Sequence, residues 1–214
     1  MEKKFAITIG RQCGSGGREI GFRLGELLGI KVYDNELITL AAEKKGIDAD
    51  YLHRIDEKAT NSLLYTLAVG SSLFRNHNVH TDMSINDRLF IGQTEVIREI
   101  VANESAIFVG RCADYILRKH EHCINLFFYA DLPWRIAHLS NLEGTSQKEA
   151  EDKIAKKDKS RMNYYNFYTG KKWGKPENYD FCIDSSVLGI EGTAQWLAEM
   201  VRLYLVQNDE NKGK

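Results

Sequence analysis

The sequence predicts an α/β protein whose core is a parallel sheet of about five strands with helices on both faces. Two observations carry that prediction. Short β-branched or aromatic runs alternate with segments of helical period, and a glycine-rich loop stands between the first run and the first helix. Residues 5–9 (FAITI) read as the first strand. Residues 19–28 read as the helix after it, with Ile20, Leu24, Leu27 and Leu28 on one face and Gly29 as its stop. Residues 31–33 form a short second strand, 106–109 a third, 125–129 a fourth and 181–183 a fifth, and residues 193–206 close as an amphipathic helix. Between the second and third strands, residues 35–105 have helical character, far more than the roughly dozen residues a simple crossover needs. The excess predicts a helical excursion that covers a ligand.

The chain has 214 residues, a length that fits one domain carrying such an excursion, and no Pro-, Gly- or Ser-rich linker or internal repeat divides it. Lys plus Arg is 29 against 30 for Asp plus Glu, so no global basic field suggests nucleic-acid binding, and any anion site must be local. The longest apolar runs, 62–69 and 124–130, fall short of the roughly 18 residues of a membrane-spanning helix. The apolar run at 5–9 stops at Gly10, too early for a signal peptide. Cys13, Cys112, Cys123 and Cys182 form no CxxC pair. Free thiols and a cytoplasmic protein are expected.

The first loop carries the chemistry. Gly10-Arg11-Gln12-Cys13-Gly14-Ser15-Gly16-Gly17-Arg18 lies between strand and helix, where glycines let successive backbone N–H groups converge on a phosphate and the helix N-terminus adds partial positive charge. A tight turn without ligand is the bland alternative, and four glycines within eight residues exceed what a turn needs. The match to GxxxxGK[ST] is imperfect, because Gly17 stands where the lysine belongs and Arg18 where a hydroxyl residue is common. The phosphate nest is present and its lysine is missing.

These residues resemble a known family. Gly14-Ser15-Gly16, the helix ending Leu27-Leu28-Gly29 and then Lys31-Val32-Tyr33-Asp34 are similar to the start of cytidylate kinases, with their GSGKGT loop and strand ending in LD or YD. Gly110-Arg111-Cys112-Ala113-Asp114 resembles their GRDxG segment, Asp158 to Arg161 their basic lid helix, and Tyr179 to Ser185 their last strand. The stretches RQCGSGGREI, GRCADYIL and YTGKKWG resemble the cytidylate kinase-like family in particular. The resemblance implies a three-layer P-loop fold over residues 1–214, with an acceptor-binding excursion at 35–105 and a lid at 145–175. It implies transfer of the γ-phosphoryl of ATP, with Mg²⁺, to a nucleoside monophosphate or related small acceptor. The alternative is a nucleotide-binding regulator or sensor that has lost phosphotransfer.

Such transfer asks the protein for positioning and charge neutralisation. Gly14, Ser15, Gly16, Gly17, Arg18 and Glu19 are the expected nucleotide-binding residues. Arg18, Arg11 and the lid residue Arg161 are the candidate catalytic cations, and the lid also carries Lys153, Lys156, Lys157 and Lys159. Arg18 follows the lysine position by one residue, which rotates it ~100° around the helix. Asp34, Arg111 and Asp114 are the expected acceptor-binding residues, and Ser15 and Asp34 the candidate Mg²⁺ ligands. An N-cap for the helix that follows is the alternative role for Asp34. The Tyr-Arg pair with which cytidylate kinases fix their nucleotide is absent from residues 34–40, and Cys112 replaces the Asp of GRDxG.

Other motifs carry less. His120-Glu121-His122-Cys123 lacks a second ligand pair at zinc spacing. His53, His77, His80 and His138 are read as exposed or core-satisfied. Apolar residues 62–74 are read as core of the excursion, with a homodimer face as the second use.

Overall fold

The computed structural model describes residues 4–46 and 85–211. Its elements are β1 (Ala6–Arg11), α1 (Gly17–Leu28), β2 (Lys31–Tyr33), α2 (Glu36–Lys45), α3 (Ile85–Asn103), β3 (Ala106–Val109) and α4 (Ala113–Ile116). There follow β4 (Cys123–Tyr129), α5 (Leu132–Glu143), α6 (Gln147–Thr169), a 3₁₀ turn at Pro176–Asn178, β5 (Phe181–Asp184) and α7 (Gly189–Asn211). The five strands form one parallel sheet in the order β2-β3-β1-β4-β5. The chain divides into two compact units, residues 35–99 and the remainder. Apolar residues 62–74 and His53, His77 and His80 lie outside the described residues. Among the described residues, no helix is long and apolar enough to cross a membrane.

The fold is the α/β class expected, and the elements run longer than the apolar runs alone indicate. β1 extends to Arg11, because its pairing with β4 continues through Gly10↔Phe127 and Arg11↔Phe128. α1 starts at Gly17, since the glycine loop itself delivers the first helical turn, with Gly16 as N-cap at φ 71°. α7 runs from Gly189 to Asn211 because its polar flanking turns continue the helix that its apolar stripe begins.

Strand alternation sorts the side chains. Ile7, Ile9, Ile107, Val109, Ile124, Leu126 and Phe128 point to one face and are sealed by Ile20 and Leu24 of α1 and by Ala194, Leu197, Ala198 and Val201 of α7. Arg11 continues the Ile7–Ile9 side of β1, so the apolar face ends in a cation. On the opposite face Phe127 packs edge-on to Trp173 at 5.4 Å and against Tyr179 at 4.8 Å, which brings the segment after α6 onto the sheet. α6 opens with a full capping box between Ser146 and Glu149 and closes at Gly170, and Ala150 and Ile154 bury one side of it against Leu139 of α5 and Cys13 of the loop. In the unit at 35–99, Leu37, Ala41, Leu89 and Ile97 are buried, and Lys45 of α2 pairs with Glu95 of α3 at 2.7 Å.

The packing of α1 on β2 tolerates no side chain at Gly25, where an added Cβ would lie 3.0 Å from the Ile30 carbonyl oxygen and collide with Val32. Ala is the better helix former by ~1 kcal/mol. The overpacking cost of ~1–3 kcal/mol outweighs that gain. Gly25→Ala is therefore expected to lower Tm by several degrees in a thermal melt, and an unchanged or raised Tm would refute this account of the α1–β2 contact.

Candidate active site

The carboxyl ends of β1, β2 and β3 gather charge around one carboxylate. Asp34 follows β2, and its side chain is 7% exposed. Arg18, in the first turn of α1, donates from Nε to Asp34 Oδ2 at 2.6 Å, and its guanidinium lies 4.8 Å over the Phe22 ring. The rotation of Arg18 away from the lysine direction thus turns it to Asp34. Arg11 reaches the same carboxylate from the other side, with Nη2 3.6 Å from Oδ1. The next helix takes Asn35 as its N-cap, without a side-chain cap bond, so the side chain of Asp34 serves the arginines instead.

Arg11 gets there by a route that only two glycines leave open. Its stem crosses Gly17, where an added Cβ would lie 2.8 Å from Arg11 Cβ and 3.0 Å from Phe128 Cβ. Its tip crosses Gly110, at φ +80°, where an added Cβ would run into Arg11 Nη1. The side chain therefore spans from β1 over the end of β3 to the end of β2. A lysine at 17 and the Arg11 side chain compete for one volume, and arginine holds it here.

Two further guanidiniums crowd Arg11. Arg161 of α6 donates from Nη1 to the Arg11 carbonyl at 3.1 Å. Burial first, then the charge of Arg161 and more weakly that of Arg111, push the Arg11 pKa down to about 9, against the opposing pull of Asp34. Arg11 Nε is buried and has no partner among the described residues. Arg11 and Arg18 thus share Asp34 while Arg161 and Arg111 stand near Arg11, and the cluster carries excess positive charge, which is what an anion site needs.

The glycine loop is pinned from several directions. Ser185, fully buried after β5, donates to the Ser15 carbonyl at 2.5 Å. Asp158 of α6 accepts from the Cys13 N–H at 2.6 Å, while Arg135 of α5 donates to the Cys13 carbonyl at 3.2 Å and to Asp158 at 2.7 Å. Glu19 pairs with His138 at 3.0 Å, and the His138 ring stacks on Trp134. Burial pushes the Cys13 thiol up, against the pull of Arg161.

The structure brings Arg11, Arg18, Asp34, Arg111 and Arg161 together beside residues 14–17. Ser15 it turns inward, fully buried, with its hydroxyl donating to the Gln12 carbonyl at 2.9 Å. Asp114 it places outside the arginines, accepting from the Tyr165 hydroxyl at 2.7 Å. Burial raises the Asp114 pKa, and the Tyr165 bond opposes that rise. Sequence reasoning missed Arg135, which sits in a helix with no motif around it, and Gly110, whose role depends on a side chain 99 positions away. A buried arginine in an otherwise amphipathic helix was the only available signal.

Two outcomes test this geometry. Restoring the loop lysine with Gly17→Lys is expected to destabilise the fold, by ~1–3 kcal/mol of overpacking in denaturant unfolding. Arg11→Met is expected to raise Tm without ligand, because it removes a buried cation short of partners, and to cancel the Tm rise that pyrophosphate gives the native protein. A lower Tm with an intact pyrophosphate shift would overturn the anion-site assignment of Arg11.

Comparison with known proteins agrees with this architecture. No curated protein matches the chain. An uncharacterized protein from Eubacterium ventriosum superposes with a TM-score of 0.64 at 28% identity, over 94% of this chain and 98% of that one. A shikimate kinase from Bacteroides thetaiotaomicron (TM-score 0.52, 14% identity, 92% and 98% covered) shares the fold. So does a gluconokinase from Sinorhizobium meliloti (TM-score 0.52, 11% identity, 97% and 99% covered). The model of the cytidylate kinase-like family matches residues 6–187, from the first residue of β1 to the loop beyond β5, and the chain belongs to that family.

Proposed function

We propose that this chain is a cytoplasmic ATP-dependent phosphotransferase that moves the γ-phosphoryl of ATP to a nucleoside monophosphate or a related small acceptor. The observation that carries the reading is the arginine cluster around Asp34 beside a glycine loop at the carboxyl ends of the strands, where open α/β sheets hold their ligands. In this reading the amides of Gly14, Ser15, Gly16 and Gly17, with the first turn of α1 through Arg18 and Glu19, hold the donor phosphates. Arg11 supplies the charge that a loop lysine would bring. Arg161 is carried by α6, the lid, and completes the site as the lid closes. Asp34 and Arg111 orient the acceptor, and Asp114 sets the loop that bears Arg111.

Mg²⁺ bound to nucleotide phosphates keeps several waters and needs only one or two protein oxygens. Among the described residues no group of three or more His, Cys, Asp or Glu side chains is placed to hold a metal ion. Both oxygens of Asp34 face guanidiniums, so Asp34 would hold the ion only by giving up Arg11 or Arg18, and the Ser15 hydroxyl would join it only by turning from the Gln12 carbonyl. When bound, the ion would neutralise charge on the transferring oxygens.

The second reading, a nucleotide-binding regulator without phosphotransfer, is favoured by the steric exclusion of a side chain at Gly17. Multiple-turnover ADP release with a panel of monophosphates separates the two. Turnover is expected with at least one acceptor, and Arg18→Ala and Arg161→Ala are each expected to lower it by roughly 10³-fold while ADP affinity stays within about tenfold. Near-normal turnover in both variants would refute the placement of the catalytic charge. ADP binding without turnover in the native protein would establish the regulator.

A further inference from the structure

We infer that Tyr165 is a positioning residue, whose hydroxyl, through Asp114, seats Arg111 and Arg161 on one bound anion. The inference rests on the reading that the arginine cluster binds phosphate groups. Tyr165 lies on α6 four residues after Arg161, so the two share a helix face. The ring is 5% exposed, and its hydroxyl donates to Asp114 Oδ2 at 2.7 Å. Asp114 in turn stands in the first turn of α4, just past Arg111. One hydrogen bond therefore joins the two segments that deliver the two arginines.

Backbone geometry ties this bond to Arg111. Arg111 and Cys112 both adopt left-handed conformations, at φ 57° and 55°. Consecutive non-glycine residues persist there only where the surroundings hold them, and such strain clusters at ligand sites. The turn they form leads straight into the helix that Asp114 opens, and Tyr165 is what holds Asp114 from outside that helix. Release of Asp114 would let the turn relax and carry Arg111 away from Arg11.

Tyr165 is itself braced. Its hydroxyl hydrogen-bonds that of Tyr179, which accepts from the Gly174 N–H at 3.4 Å. The Tyr179 ring rests on Phe127 of β4, and Thr169 one turn beyond Tyr165 donates to the Tyr165 carbonyl at 2.7 Å. The YTGKKWG stretch, which phosphoryl transfer leaves without a role, becomes the wall that fixes Tyr165 relative to the sheet. Arg161 is thereby registered against Arg11, whose carbonyl it holds.

Calorimetric titration with inorganic pyrophosphate tests this without requiring turnover. Tyr165→Phe, which removes only the hydroxyl, is expected to weaken pyrophosphate binding about tenfold. In an Arg111→Ala/Arg161→Ala background the same change is expected to alter affinity less than twofold, because neither arginine that Tyr165 positions remains. A packing role would give equal losses in both backgrounds, and that result, or native-like affinity in Tyr165→Phe, would overturn the inference while leaving the phosphate site standing. Absence of pyrophosphate binding in the native protein would remove both. Should Tyr165→Phe not fold, Asp114→Asn carries the same comparison, with a loss of about threefold in the native background and none in the doubly substituted one.

Discussion

The path of the Arg11 side chain is the constraint on which the rest of the site depends. A guanidinium leaving the end of β1 on the covered face of the sheet has to cross the mouth of α1 and the end of β3 to meet a carboxylate. Side chains at 17 and 110 would block it. Gly17 is therefore the condition for Arg11 to lie where it does, and the missing lysine follows from that competition for volume. The sheet order sets the remainder, because β3 stands between β1 and β2 and only a long, extended side chain bridges them. Asp34 must then end β2, since a buried cation without a carboxylate costs several kcal/mol.

Electrostatics and anion binding are coupled through the same group. Desolvation and the neighbouring Arg161 disfavour the charged form of Arg11, while Asp34 favours it. At neutral pH Arg11 remains charged, and the strain among the guanidiniums stays in the folded state until an anion enters. A dianionic or trianionic phosphate chain relieves that repulsion for several arginines at once.

Much of this was legible in the sequence, and the boundary of legibility has a physical meaning. Alternation of apolar runs exposed the five strands, and the glycine loop marked the turn between β1 and α1, because both are local patterns. Asp34, Arg111 and Arg161 were legible as charges at strand ends or on the helix after α5. The trade between Arg11 and Gly17 was not, because a motif treats the two positions as neighbours in sequence, whereas the structure sets them against each other in space. Arg135 and Tyr165 escaped for a related reason. Their partners, Cys13 and Asp114, are 122 and 51 residues away. Ser15 read as a metal ligand because loop hydroxyls commonly are, and its inward turn is decided by the Gln12 carbonyl, which only backbone geometry reveals.

Arginine in place of lysine also changes what the site can do. A lysine is a compact charge on a flexible stem that follows a phosphoryl group from donor to acceptor, whereas a guanidinium is a planar fork whose hydrogen bonds are fixed in direction. Arg11 is fixed further by the two glycines beneath it and by Asp34. A static cation favours one position of the transferring group, so any charge that moves with that group has to come from elsewhere. In this chain α6 carries Arg161 and also Asp158, the carboxylate tied to the Cys13 N–H and to Arg135. Under the proposed phosphotransfer, the work of a loop lysine would be divided between Arg11, fixed beside Asp34, and Arg161, brought by the helix. If that helix closes on nucleotide as the proposal has it, closure and charge neutralisation would be a single event.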